Sequence, residues 1–576
     1  MSEARARSYE FEDFRVDVDK RLLFRQGKPV RLTPKAFDTL LLLVERKGEV
    51  ISKDDLMRSV WPDTAVEENN LNQNISTLRR VLGENRGENR YIATVPGQGY
   101  RFVPAVESSG FAQLTAEPVT LAVLPFANLS SDTDSEFFAD GVTEEIINAL
   151  TQIRNLRVVA RTSSFSFKGT QLDLRTVGAT LNAGTLIEGS VRKSGGRVRI
   201  VAQLINAADG YHIWSERYDR DLRDIFEVQD EIARTIADRL KVTLGPEKAE
   251  TLVRSETKNL EAYQFYLKGR FHWNKRSADG LQKAIEYFQQ AIGKDPSYAV
   301  AYAGLADAYN MVSFRNVMVP HAVMPKAKAA ALKALDLDAS RAEPHVSLAY
   351  ASFTYDRDWL AAARHFERAK ALNPAYVMGH AFYPLYLSSR GRSADSLSVA
   401  KRAFELDPAA PAVSHVLAVQ LYLARFFDQA VQQCQQTLEL DPTYEPADQV
   451  LGQVYSLTGK YEEAALQFEK SLAATQRSTW VLALLGYSYA RSGLRSQVLD
   501  VLEELCTASK NRFVPALCFA LVYAGMEERD HAFTWLAKSC DERHNRLAYL
   551  KVEALWDPLR SDPRFADMLR GFGIMD

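Results

Sequence analysis

The spacing of apolar positions changes along the chain, and each change marks a different architecture. From about residue 8 to 105, short alternating runs such as YEFEDFRV are interleaved with stretches in which apolar residues recur every three or four positions. A turn at Gln26-Gly27 separates the first strands. Thr33 can cap a helix opened by Pro34, with Phe37, Leu40, Leu41 and Val44 as its buried stripe and Gly48 as its stop. Ser52 can cap a second helix over KDDLMRSVW, and a loop from Pro62 to Val66 leads to a third, from about Glu67 to Leu82. The following YIATVPGQGYRFVP alternates about a Pro96-Gly97-Gln98-Gly99 turn, which predicts a hairpin. Helix, turn, helix and hairpin predict an α+β winged helix-turn-helix over 8–105.

Residues 106–117 (VESSGFAQLTAE) have no period and are expected to form a linker. Over 118–245, strand-like runs (TLAVLPF, GTLIEGSVRK, RVRIVAQLI) alternate with helical ones (TEEIINALTQI, VQDEIARTIADRL), which predicts an α/β domain closed by Gly245-Pro246. A second linker is expected at 246–258. From 259 to 545 the period is helical throughout.

That last stretch repeats itself. Ala362, Ser396, Ala430, Ala464, Val498 and Ala532 stand 34 residues apart, most with a large or apolar residue at +4 and a small one at +7; looser members precede them at Ala284 and Ala327. Gly452, Gly486 and Ala520 lie twelve residues before their anchors, where two helices would touch. With Asp-Pro or Asn-Pro stops at 295–296, 373–374, 407–408 and 441–442, this closely resembles the tetratricopeptide repeat. The resemblance implies about eight helix pairs in an all-α superhelix, with a concave surface that takes a protein or peptide. Tyr309, Tyr422, Tyr455 and Tyr489 are expected to pack between helices, and 546–576 to form a capping helix pair.

In the third helix of the first unit, Leu71, Ile75, Leu78 and Leu82 share one face. The other face carries Asn69, Asn72, Gln73, Ser76, Thr77 and Arg80, amides and hydroxyls that can bond phosphates or base edges, with Arg79 adding cationic reach. In order and spacing, LTPKAFDTLLLLVERKGEVISKDDLMRSVW, NNLNQNISTLRRVLG and YIATVPGQGYRF resemble the OmpR/PhoB-type winged helix, also found in CadC-like regulators. The resemblance implies that the third helix enters the major groove of double-stranded DNA and that a loop faces RNA polymerase. It assigns Gln73, Ser76 and Thr77 to bases, and Asn69, Arg79, Thr94, Tyr100 and the Trp61 region to phosphates. The chain departs from the family in having Pro96 at the wing tip, where arginine is common. It also has Ser76 and Thr77 at basic positions of the helix. The first 107 residues hold 18 basic and 17 acidic side chains, so the salt dependence of DNA binding should be modest.

Composition adds mainly exclusions. With 71 basic and 73 acidic residues, the net charge of -2 puts any nucleic-acid contact on a local surface. The four cysteines form no CxxC pair, which predicts free thiols and no zinc or redox site. The first residues lack the apolar core of a signal peptide, and no run approaches the roughly 20 apolar residues of a membrane helix. Asp132-Thr-Asp134-Ser-Glu136 lacks the glycine of a calcium loop, and Ser190-Val-Arg-Lys193 lies in a strand without catalytic partner motifs. Neither a phosphate-binding glycine loop nor HExxH nor GxSxG is present, so no catalytic residue, metal or cofactor is expected. The run beginning VTLAVLPFANLSSDTDSEFFADGVTEEI resembles the TolB amino-terminal-like domain, which implies a coupling module. No receiver domain precedes residue 8, so aspartate phosphorylation within this chain is not expected.

Together these patterns and the resemblances they carry imply a multidomain cytoplasmic bacterial DNA-binding transcriptional regulator whose α/β and repeat units sense or recruit a partner. The rival is a repeat-based interaction scaffold whose winged helix does not bind DNA. An enzyme related to hydrolases or cyclases ranks third.

Overall fold

The structure, a computed structural model, describes residues 8–574 except 19–20, 26–27, 31, 62–67, 85–87, 105–106, 110–118, 131–134, 152, 154–155, 171, 241–256, 375 and 476. The expected turn at Gln26-Gly27, the loop at Pro62 to Val66, the Asp132 to Asp134 run and nearly all of both linkers therefore lie outside the described residues. Two compact units are present, 1–117 and 118–576.

In the first unit, β1 (Ser8–Phe11), β2 (Phe14–Asp17), β3 (Leu22–Arg25) and β4 (Lys28–Val30) form an antiparallel sheet. It is followed by α1 (Pro34–Glu45), β5 (Val50–Ser52), α2 (Lys53–Val60), α3 (Glu68–Leu82), β6 (Ile92–Val95) and β7 (Gly99–Phe102). Both predicted caps form. The Ala36 amide donates to Thr33 Oγ1 at 3.3 Å and the Asp55 amide to Ser52 Oγ at 3.1 Å. Strand β8 (Glu107–Ser109) pairs with β1 inside the stretch expected to be linker. A three-residue ESS strand has too little alternation to be read, and the free edge of β1 recruits it. The sheet order is β4-β3-β2-β1-β8, and β5-β7-β6 forms a separate sheet.

The second unit begins with β9 (Val119–Val123), β10 (Ala127–Asn128), α4 (Glu136–Thr151), β11 (Leu156–Val158), α5 (Arg161–Phe165), α6 (Leu174–Thr180), β12 (Thr185–Ser194), β13 (Arg197–Asn206), β14 (His212–Asp221) and α7 (Ile225–Arg239). β11, β9 and β12 run parallel, whereas β12, β13 and β14 form an antiparallel meander. The motif-like Ser190 and Lys193 sit in β12, as expected.

Eight helix pairs follow among the described residues. They are α8 (Leu260–Asn274) with α9 (Ala278–Lys294), α10 (Ala299–Phe314) with α11 (Pro320–Leu337), α12 (Glu343–Ala351) with α13 (Trp359–Leu372), and α14 (Val377–Ser389) with α15 (Ser393–Leu406). The other four are α16 (Pro411–Leu423) with α17 (Phe427–Leu440), α18 (Glu445–Leu457) with α19 (Tyr461–Ala474), α20 (Thr479–Arg491) with α21 (Arg495–Ser509), and α22 (Ala516–Gly525) with α23 (Arg529–Asp541). The 34-residue anchors fall on the second helices and are buried there. First helices of consecutive pairs pack on one another more closely than second helices do, which puts them on the inside of the curve.

The α/β domain and the repeats are not independent bodies. One hydrophobic core runs through both. Buried Glu144 of α4 meets Arg161 of α5 at 3.0 Å and Arg270 of α8 at 2.6 Å. Ser163 donates to buried Asp407 at the α15–α16 corner, and the Arg157 guanidinium to the Glu405 carbonyl at 3.1 Å. The residues beyond α23 also depart from the expected capping helix pair. They form two 3-10 turns, Asn545–Tyr549 and Ala554–Leu559, the second containing Pro558, which has no N–H for a helical bond, and one helix, α24 (Pro563–Gly571), capped by Asp562 and opened by Pro563.

Candidate nucleic-acid interface

Helix α3 owes its placement to its apolar stripe. Leu71, Ile75, Leu78 and Leu82 are buried against α1 and α2, and the Asn74 amide donates to Thr39 Oγ1 at 3.2 Å. Lys53 pairs with Glu68, tying the start of α2 to the first turn of α3. The predicted polar face is thereby turned outward. Asn69, Asn72, Gln73, Ser76 and Arg80 are exposed, and Thr77 is half-buried.

The wing is fastened to the far end of this helix. Buried Glu84 accepts the backbone amides of Tyr91 and Ile92 through Oε2 at 3.2 and 3.1 Å. The Arg79 guanidinium donates to the Ile92 carbonyl at 2.6 Å and to Thr94 Oγ1 at 2.8 Å, with its Nε 3.8 Å from Glu84. In the hairpin Thr94 pairs with Tyr100 and Val95 with Gly99. Gly99 has φ +152°, and a Cβ there would lie 1.9 Å from the Ile51 carbonyl oxygen, so only glycine lets β7 pass β5.

Three of the expected phosphate contacts are engaged inside the protein. Arg79 clamps the wing strand to α3 and Thr94 accepts one of its bonds. Tyr100 is 5% exposed, and its hydroxyl donates to Asn72 Oδ1 at 2.8 Å. These groups join helix to wing, which helical and strand spacing could not reveal, because the bonds connect residues 13 to 28 positions apart. Trp61, half-buried, ends α2; Lys35 Nζ lies 5.9 Å from its ring and donates to the Val60 carbonyl at 2.6 Å.

Sequence reasoning passed over Arg101. In β7 the neighbours Tyr100 and Phe102 are buried and Arg101 is exposed, placing a cation on the wing opposite Ala93. Simple alternation would have found it. Among the described residues, the exposed cations Arg80 and Arg101 have no ion-pair partner. The surface thus offers amide donors, hydroxyls and two guanidiniums over a rigid apolar base. Among the described residues no cluster of three metal-ligating side chains is present, and no helix is long and apolar enough to cross a membrane.

Comparison with known proteins agrees with this layout. Residues 27–102 match the family model described as transcriptional regulatory protein, C terminal, and residues 117–235 match HilA/YgeH-like transcriptional regulator, second domain. The chain is 37% identical over 258 residues to putative adenylate cyclase 3 of Rhizobium meliloti, covering 44% of each. It is 27% identical to the transcriptional regulator HilA of Salmonella typhimurium over 70% of this chain and 71% of that one. Over 83 residues it is 37% identical to the transcriptional activator CadC of Escherichia coli, covering 14% of this chain and 16% of that protein. The chain thus spans less than half the length of the cyclase relative. Its first unit is an OmpR/PhoB-type winged helix of the kind found in CadC-like regulators, joined to a mixed-sheet domain and a tetratricopeptide-like superhelix.

Proposed function

We propose that this chain is a cytoplasmic DNA-binding transcriptional regulator that acts without catalysing a reaction. The observation that carries this is the outward amide and hydroxyl face of α3, set on an apolar stripe and braced by the wing. On this reading Gln73, Ser76 and Thr77 meet base edges in the major groove, with Asn69, Asn72 and Arg80 beside them. Arg101 and the Lys35–Trp61 corner meet phosphates. Arg79, Thr94 and Tyr100 hold that surface in shape. RNA polymerase is the partner of the DNA-bound first unit, and the second unit couples a further protein to it.

The test is fluorescence anisotropy of the full chain on DNA tiled across its own upstream region, at two salt concentrations with scrambled competitor. Tight, competitor-resistant binding to one tile, lost in a Gln73→Ala/Ser76→Ala variant, is expected. Weak, salt-insensitive binding to every tile would favour the scaffold reading. Since one relative is named a cyclase, incubation with ATP serves as a control, and cyclic nucleotide formation would overturn the non-catalytic part.

A further inference from the structure

The inner face of the superhelix is occupied by the chain's own last residues. After α23 the chain turns back at 541–543 and runs across the first helices of the repeats. Asn545 donates to the Tyr350 hydroxyl of α12 at 3.1 Å, and His544 Nε2 lies 2.8 Å from Asn316 Oδ1 just beyond α10. The Arg546 backbone amide donates to His544 Nδ1, so Nε2 carries the proton given to Asn316. The Arg546 guanidinium stacks 4.0 Å from the ring of Trp480 in α20. Further on, the Tyr422 hydroxyl of α16 donates to Glu553, and Arg425 forks Asp557 with two bonds of 2.7 Å. Trp359 Nε1 donates to the Phe572 carbonyl at 2.9 Å, and Arg390 to that of Gly573 at 2.9 Å.

This is the contact pattern of a bound segment. Groove side chains from α10 to α20 bond its carboxylates, its amide and its backbone carbonyls, while Leu550, Leu555, Trp556 and Leu559 fill the space between. A continuation of the repeat would instead have supplied another helix pair. We propose that residues 544–574 are an intrachain occupant of the concave groove. They exclude a partner segment of the same chemistry, a peptide of leucine and tryptophan side chains with two carboxylates spaced to meet Tyr422 and Arg425, until they are displaced. An occupant tethered to its own site acts at an effective concentration of millimolar order, so a competing peptide binds the intact chain far more weakly than an emptied groove. The inference does not depend on DNA binding.

The test inserts a protease site in the turn at 541–543, where Asp541 and Arg543 are exposed, of the whole chain. A fluorescein-labelled synthetic peptide of residues 543–576 is titrated before and after cleavage. Cleavage should leave the helical circular dichroism in place and strengthen peptide binding by at least tenfold. A peptide carrying Asp557→Arg should bind weakly to the cleaved chain and regain affinity for an Arg425→Asp chain. That pair is 39 to 47% exposed, so reversal does not strand a buried charge. Loss of helical signal when the segment leaves, absence of exchange after cleavage, or equal binding before and after would each make the segment a fixed part of the core and overturn the proposal.

Discussion

The Tyr100 hydroxyl on the wing donates a 2.8 Å hydrogen bond to Asn72 Oδ1 on α3. With its oxygen bonded by Tyr100 and its NH2 group turned to the Glu68 carboxylate, the Asn72 amide is held in one orientation at the edge of the polar face. Tyr100→Phe removes only the hydroxyl and lets the amide turn. Specific DNA affinity should fall by about three- to tenfold, with stability changed by no more than about 1 kcal/mol. Anisotropy and thermal denaturation of the same variant check both.

Arg79 and Arg80 are adjacent in sequence but differ in role. Arg79→Ala leaves the Ile92 carbonyl without its 2.6 Å donor and removes the cation beside buried Glu84, so the first unit should lose about 2 kcal/mol. Arg80→Ala should leave stability alone and lower the salt slope of DNA binding by about one. Denaturant titration and a salt series separate the two, and equal stability losses would contradict these roles.

Glu144 is buried between two arginines that belong to the α/β domain and to the first repeat. Burial favours its neutral form, but Arg270 and then Arg161 outweigh it and hold the carboxyl below its usual range. Its contribution to stability is therefore present above the unfolded-state value and lost as pH falls through the lowered one. Glu144→Gln strands both arginines and should destabilise the second unit by about 3 kcal/mol or more near pH 7. A much smaller loss in calorimetry would show that the two regions are not coupled through this residue.

Asp407 behaves in the opposite sense. Burial raises it to about 6, against the lowering effect of the bond from Ser163. A carboxyl raised on folding stabilises most when protonated, so this contribution declines as pH rises from about 4 to about 6. Asp407→Asn keeps an acceptor for Ser163 and should remove that decline. At pH 7 the variant should exceed the wild type by about 3 kcal/mol, with the difference vanishing near pH 4. Unfolding curves across that range measure the convergence.

Gly452 of α18 faces the ring of Phe468 in α19, and a Cβ would lie 2.5 Å from the ring. Gly452→Ala should cost about 1–3 kcal/mol through overpacking. Pairing it with Phe468→Leu should recover part of that loss, a coupling that a double-mutant cycle measures. Strict additivity would show that the two positions do not share the contact.

The repeats were the most legible part of the chain because their contacts are local and recur. Gly452, Ala464 and Phe468 lie within 17 residues of one another, and the same register returns every 34. Helix α3 was legible for a similar reason, since Leu71, Ile75, Leu78 and Leu82 define a face without reference to the rest of the unit. The division into elements of α/β type was equally open. In contrast, β8 joined a sheet that only the edge of β1 could define, and a boundary expected near residue 258 dissolved into a shared core.

Periodicity thus established the kinds of units, their order, and which side of α3 faces outward, because burying an apolar stripe is a demand that each helix carries in its own residues. The folded chain decided how individual polar groups are employed. Asn72, Arg79, Thr94 and Tyr100 look alike in a list of candidate contacts, yet bonds across loops and strands divide them into surface and brace. Asp557 and Glu553 likewise gain their partners, Arg425 and Tyr422, only when a segment over 130 residues away folds back along the groove. A hydrogen bond depends on separations and angles in space, and nothing in the spacing of residues along a chain encodes those for groups so far apart.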